Sequence, residues 1–174
     1  LLTISKRENT FWKNFIEKNK ITSIGVPKFT ELYYKKKIKK KNKKKTILFA
    51  FGHAGNQWLN EDKLEEICRF LASTKNTKVI VKMHPFKREK FATNLVNKLS
   101  NKDFIVSEKL IIDLCKEADL LISNSSSSAT PYGNLYKIPV ISVPNYLHPN
   151  LITDNMKLGL IKYSKNFKDF QNNV

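Results

Sequence analysis

Ser125-Ser126-Ser127-Ser128, followed by Ala129-Thr130, gathers five hydroxyl side chains within six residues. Ahead of a helix, such a run meets unpaired backbone N–H groups and the positive end of the helix dipole, so it suits an anion. Small side chains also let backbone amides approach phosphate oxygens. One serine is enough to cap a helix, and a plain cap is the competing reading.

His84 stands directly before Pro85, whose ring biases it to extended backbone. Its imidazole titrates near neutrality, so it can donate to a phosphate or protonate a leaving group. Lys82, Lys87 and Arg88 add positive charge around it. A loop histidine satisfied by backbone is the plainer alternative. His53 lies in Gly52-His53-Ala54-Gly55-Asn56, where glycines permit tight turns and close approach of a ligand. His148-Pro149, in Pro144 to Asn150, reads as a surface loop, with a contact to a base or ribose as the alternative.

Several chemistries lack their signature. There is no Gly-x-Gly-x-x-Gly, no Gly-Lys-Ser/Thr phosphate loop and no Gly-x-Ser-x-Gly elbow. No histidines stand at i, i+4 and no carboxylates cluster beside them, so a metal site is not indicated and no cofactor is expected.

The 174 residues carry 32 Lys+Arg against 15 Asp+Glu, a formal charge of +17. Such an excess admits nucleic acid, an anionic membrane or an anionic substrate as partner. Nine of the lysines fall in Lys35–Lys45, leaving +8 over the rest. That tract has no apolar face and reads as a solvated linker, able to bind polyanions nonspecifically or to dock on anionic lipid. It has no interleaved aromatics, so specific nucleic-acid binding is not indicated. Hydrophobic residues at 41% exclude disorder as a global description. Cys68 and Cys115 fall on apolar helix stripes and are expected as buried thiols of a reducing, cytoplasmic compartment. No apolar run approaches a bilayer span. The chain opens on Leu1 in mid-pattern and reads as a piece of something longer.

The elements that must position these residues follow from periodicity. A helix is expected over 5–19, with Phe11, Trp12, Phe15 and Ile16 on one side. A strand follows over 21–26, then a short helix over 29–34. Apolar runs predict strands over 46–51, 78–83, 104–106, 119–122 and 138–143. Helices are predicted between them over 61–73, 87–99, 110–117 and 129–136, the first capped by Asn60. Five buried strands alternating with helices imply an open, doubly wound parallel sheet, an α/β Rossmann-like fold. Ligands of such sheets sit beyond the carboxyl ends of the strands. That edge brings together the loops at Gly52–Asn56, His84-Pro85 and Ser123–Thr130.

In this order the residues resemble a known arrangement. Ile24-Gly25-Val26-Pro27-Lys28-Phe29-Thr30-Glu31-Leu32-Tyr33 is similar to the hinge joining the halves of GT-B glycosyltransferases of surface-carbohydrate type. Lys82-Met83-His84-Pro85 resembles the K-x-H-P motif of bacterial capsule polysialyltransferases and CDP-glycerol glycerophosphotransferases. Ala118 to Ser128 resembles their A-D-x-x-I-[ST]-x-x-S-S, and Ile138-Pro139-Val140-Ile141 the strand that follows, usually G-K-P-V-I.

The resemblance covers roughly residues 20 to 145. It implies a single GT-B half-domain over 46–174, a Lys-rich linker over 35–45, and the hinge with the end of an acceptor domain over 1–34. Its implied task is to bind a nucleotide-activated sugar or glycerol donor (CMP, CDP or UDP), moved without metal onto a polysaccharide or lipid-linked acceptor in capsule or surface-polymer synthesis. His84 would hold or protonate the donor phosphate. Ser125, Ser126, Ser127, Ser128 and Thr130 would line the phosphate site, with Gly52, Gly55 and Pro85 around it. His53 would face the acceptor half. Tyr132 stands where many relatives carry a glutamate that contacts the ribose, and Lys137-Ile138 replace Gly-Lys ahead of Pro139. A nucleotide-sugar 2-epimerase shares the architecture but requires carboxylates in the crevice.

Overall fold

The computed structural model describes residues 2–3, 9–10, 12–23, 44–51, 61–83, 90–125, 127–146 and 148–174. The chain divides into two compact units, Leu1–Lys36 and Lys37–Val174. In the first, β1 (Leu2–Thr3) pairs in parallel with β2 (Thr22–Ser23). The helix expected over 5–19 is shorter. Asn9, Thr10 and Trp12 are helical, turns follow at 13–15, and a 3₁₀ turn covers Lys18–Lys20. Trp12 and Phe15 meet edge to face at 6.2 Å, yet both are exposed. None of this unit's described side chains is buried, and a short helix without a buried face does not sustain itself. The hinge, the helix expected over 29–34 and most of the lysine tract lie outside the described residues.

The second unit is built on five parallel strands: β3 (Lys45–Phe51), β4 (Thr77–Met83), β5 (Phe104–Val106), β6 (Leu120–Ser123) and β7 (Val140–Ser142). Their spatial order is β5-β4-β3-β6-β7, so the sheet grows outward in both directions from β3. Between them lie α1 (Glu61–Ser73), α2 (Lys90–Leu99), α3 (Ile111–Glu117) and α4 (Thr130–Leu135). Each predicted strand and intervening helix is present, with described ends shifted by up to two residues; residues 87–89 of the second helix and the expected cap Asn60 lie outside the described residues.

Alternation along the strands divides the core in two. Ile47, Phe49, Val79, Val81 and Ile122 face one layer with Leu64, Ile67, Cys68 and Leu71 of α1 and Leu95 of α2. Leu48, Ala50, Ile80 and Leu121 face the other with Leu114 and Cys115 of α3. Both cysteines are free and buried, and burial pushes the Cys68 thiol up to about 12. Among the described residues, no helix is long and apolar enough to cross a membrane.

Two links pin the amino-terminal edge. Asp119 Oδ2 accepts from Thr46 N at 2.9 Å, and Lys44 Nζ pairs with Asp103 Oδ2 at 2.5 Å. Lys45 is already the first residue of β3 and pairs with Thr77, so the end of the lysine run belongs to the sheet.

Two further helices follow β7, beyond the elements read from the sequence: α5 (Asp154–Lys157) and α6 (Phe167–Asn173). Between them, Ser142 N donates to Lys162 O at 2.9 Å and Lys162 N to Val140 O at 2.8 Å, extending the sheet past β7. Asn166 caps α6 through Asp169 N, and Phe170 is fully buried against the α1 layer.

Candidate functional site

The sheet is doubly wound about β3 and β6, which are neighbours while their following helices pack on opposite faces. In doubly wound sheets the carboxyl ends of such a strand pair mark the place where ligands bind. Ala50 is in register with Ser123, and Ser123 with Ser142, so the loops leaving β6 and β7 start level with each other.

The loop after β6 turns inward. Ser123, Asn124 and Ser125 are buried, Ser127 is half-buried and Ser128 is exposed. Ser127 N donates to Asn124 O at 3.1 Å, Ser127 Oγ accepts from Ala129 N at 3.1 Å, and Thr130 N donates to Ser127 O at 3.2 Å. Among the described residues Ser127 thus fastens the loop to the start of α4, and Ala129 at the cap position makes no side-chain cap bond. One serine suffices for that task, as a plain cap requires. The remaining hydroxyls are not consumed by it. Ser125 Oγ and Thr130 Oγ1 are buried and have no hydrogen-bond partner, although both residues are 0% exposed. Tyr132, two residues into α4, packs half-buried against the α3 layer.

The loop after β7 repeats the pattern. Val143 N donates to Ser123 O at 2.9 Å, binding this loop to the one before it. Asn145 is 1% exposed; its Oδ1 accepts from His148 N at 2.8 Å while its Nδ2 has no partner. Tyr146 OH is likewise buried and unbonded, with Lys63 Nζ of α1 above its ring at 5.2 Å. Burial pushes the Tyr146 phenol above its usual range. The segment Pro144–Asn150 is therefore not wholly a surface loop: His148 is exposed, whereas Asn145 is interior. A polar residue following buried Val143 and Pro144 at a strand's end is the signal that marks it.

Four buried, unpaired side-chain polar groups thus fall in the two loops at this edge. Leaving a buried donor unbonded costs about 1–3 kcal/mol, so native interiors seldom keep several together unless a ligand or water completes them. The four comprise a pair of hydroxyls, an amide N–H₂ and a phenol, all hydrogen-bond donors.

Gly52, His53, Gly55, His84, Pro85 and Ser126 lie outside the described residues. Lys82, expected beside His84, sends its Nζ to Glu108 O at 3.3 Å. Among the described residues no group of three His, Cys, Asp or Glu is placed to hold a metal ion.

A five-stranded parallel sheet with this order and a polar carboxyl edge defines a Rossmann-like α/β domain. The comparisons give the particular family. The chain belongs to the CDP-glycerol:poly(glycerophosphate) glycerophosphotransferases, a transferase family whose profile matches residues 3–146.

Solved structures share the fold. A Listeria monocytogenes protein assigned as a UDP-N-acetylglucosamine 2-epimerase aligns with TM-score 0.69 and 11% identity, over 99% of this chain and 49% of that one. The spinosyn rhamnosyltransferase SpnG aligns with TM-score 0.55 and 12% identity, over 85% and 37%. The wall teichoic acid polymerase TagF aligns with TM-score 0.52 and 17% identity, over 82% and 38%. The chain spans half or less of the length of each of these structures. No curated protein matches the chain in sequence.

Proposed function

We propose that this chain binds the nucleotide-activated donor of a surface-polymer transferase, with the serine loop taking the donor phosphates. The observation that carries the reading is the set of unpaired buried groups, Ser125 Oγ, Thr130 Oγ1, Asn145 Nδ2 and Tyr146 OH, at the carboxyl ends of β6 and β7. The family description supplies the donor class, CDP-glycerol, and a TagF structure is described with CDPG.

In this reading an acceptor hydroxyl attacks the glycerol-bearing phosphorus. A new P–O bond forms as the hydroxyl gives up its proton to a general base or to solvent, the bond to the departing phosphate breaks, and CMP leaves with the electron pair. Hydroxyl and amide donors, with His84 protonating or bonding the leaving phosphate, compensate the growing charge without a bound metal. His53 faces the acceptor, a polysaccharide or lipid-linked chain. A sugar donor would use the same phosphate contacts, in capsule synthesis as in teichoic acid synthesis. The reading divides the chain into an acceptor-domain end and hinge (1–34), the lysine linker (35–45) and the donor domain (46–174). The linker holds a cytoplasmic enzyme at the anionic inner face of the plasma membrane, each lysine near the surface contributing about 1 kcal/mol. An epimerase is disfavoured because neither Ser123–Thr130 nor Val143–Asn150 carries a carboxylate for proton shuttling.

Isothermal titration with CDP-glycerol, CDP, CMP and UDP tests the reading. A cytidine nucleotide is expected to bind saturably, with Ser125→Ala and Thr130→Val weakening it several-fold and His84→Ala more. A folded chain that binds none of the four refutes the donor site.

A further inference from the structure

The serine loop is also held from outside itself. The Ser125 carbonyl oxygen accepts from Thr153 Oγ1 at 3.0 Å and from Asn155 Nδ2 at 3.0 Å, and the same nitrogen lies 3.5 Å from Ser127 O. These partners come from α5 and its cap, 28 and 30 residues further along the chain. A helix of four residues has almost no stability of its own. Here it is closed by a reciprocal pair, with Met156 N donating to Thr153 Oγ1 at 3.4 Å and Thr153 N to Met156 Sδ at 3.5 Å. It is held again through Asn134 of α4, whose Nδ2 donates to Leu160 O at 2.9 Å and Thr130 O at 3.0 Å. The segment 153–160 is thus a strap fastened to both sides of the serine loop.

The chemistry at the centre of the strap is specific. Two carbonyl oxygens can only accept, and the carboxamide N–H₂ of Asn155 presents two hydrogens to them. Aspartate has the same shape but no donor, and alanine has neither. With both carbonyls drawn toward the strap, and Ser127 Oγ spent on Ala129 N, the hydroxyls of Ser125 and Thr130 remain unbonded.

We propose that Asn155 is a positioning residue for the phosphate site: it fixes the Ser125 and Ser127 carbonyls so that the neighbouring hydroxyls stay available to the ligand. The inference rests on the reading of this loop as the donor site.

The test compares Asn155→Ala and Asn155→Asp with Tyr163→Phe. Tyr163 OH donates to Pro149 O at 3.0 Å in the same carboxyl-terminal segment without touching the serine loop. CDP affinity is measured by calorimetry, amide exchange by mass spectrometry and stability by urea unfolding. Both Asn155 variants are expected to bind CDP about tenfold more weakly, the loss of roughly two modest hydrogen bonds. Their amide exchange should accelerate over 125–130, and Tyr163→Phe should match the parent in affinity. Should the alanine variant not fold, the isosteric aspartate variant carries the comparison. Unchanged affinity in both Asn155 variants overturns the inference, as does an equal loss in Tyr163→Phe. A parent chain that binds no nucleotide overturns the donor-site reading and this inference with it. A parent that binds, and responds to Ser125→Ala but not to the Asn155 changes, removes the inference alone.

Discussion

Asp119 and Thr46 hold each other by two hydrogen bonds: Thr46 N donates to Asp119 Oδ2 at 2.9 Å, and Asp119 N donates to Thr46 O at 2.8 Å. The aspartate of the Ala118-Asp119-x-x-Ile122 motif therefore works at the amino-terminal end of the central strands, opposite the crevice. Its task is to align β6 with β3, which sets the level at which both carboxyl-end loops begin. Asp119→Ala is expected to lower stability by about 1.5–3 kcal/mol, the range for a hydrogen bond to a charged acceptor. Asp119→Asn, which keeps an acceptor oxygen, should recover most of it. Urea unfolding followed by circular dichroism measures both.

Gly133 sits where α4 crosses β6 and β7. A Cβ there would lie 2.6 Å from Val140 Cγ2 and 2.8 Å from Leu121 Cδ2. In an exposed helix Gly→Ala gains roughly 1 kcal/mol. At this crossing the clash reverses the sign, and Gly133→Ala is expected to destabilise by about 1–3 kcal/mol through overpacking. A raised urea midpoint would contradict the close approach.

Lys137 has φ of 54°, in the left-handed region, directly after α4. It stands at the glycine position of the G-K-P-V-I pattern that this stretch resembles. A side chain in that conformation costs roughly 1–2 kcal/mol, part of which glycine's own entropy offsets. Lys137→Gly is therefore expected to stabilise the domain by about 0.5–1 kcal/mol in thermal or urea unfolding. Lys137→Val should do the reverse.

Asp103, paired with Lys44, gives the pH dependence. The hydrogen bond from Lys44 holds its carboxyl below the usual carboxylate range. A carboxyl lowered in the folded state contributes stability that is present above its unfolded value and lost as pH falls through its folded one. Acidifying below the ordinary aspartate range should thus remove this contribution, and Asp103→Asn should flatten that part of the urea-midpoint profile. The pair is partly exposed, so high salt should shrink the difference between variant and parent.

The alternation of apolar runs and 3.6-period stripes was enough to read the parallel sheet and its four intervening helices. The physical reason is local: a strand buried on both faces must be apolar at every position, and a covering helix must carry a stripe such as Leu64, Ile67, Cys68 and Leu71. The serine run announced a polar loop at a carboxyl end for the same reason, since polar residues interrupt such a pattern only where the strand stops. Sequence alone did not reveal which hydroxyls the fold would consume. Ser127 is spent on the turn, whereas Ser125 and Thr130 are buried with their bonds unmade, and that division depends on backbone directions. Asn145 and Asn155 were also hidden, because their partners lie across the fold or are missing from it. Nor did periodicity extend to the carboxyl-terminal strap, whose helix of four residues is too short to show it and is held by a local cap and by tertiary hydrogen bonds to the loop it clamps. Sequence determined where the sheet and its polar edge lie; only the tertiary structure decided which polar groups at that edge are left unbonded.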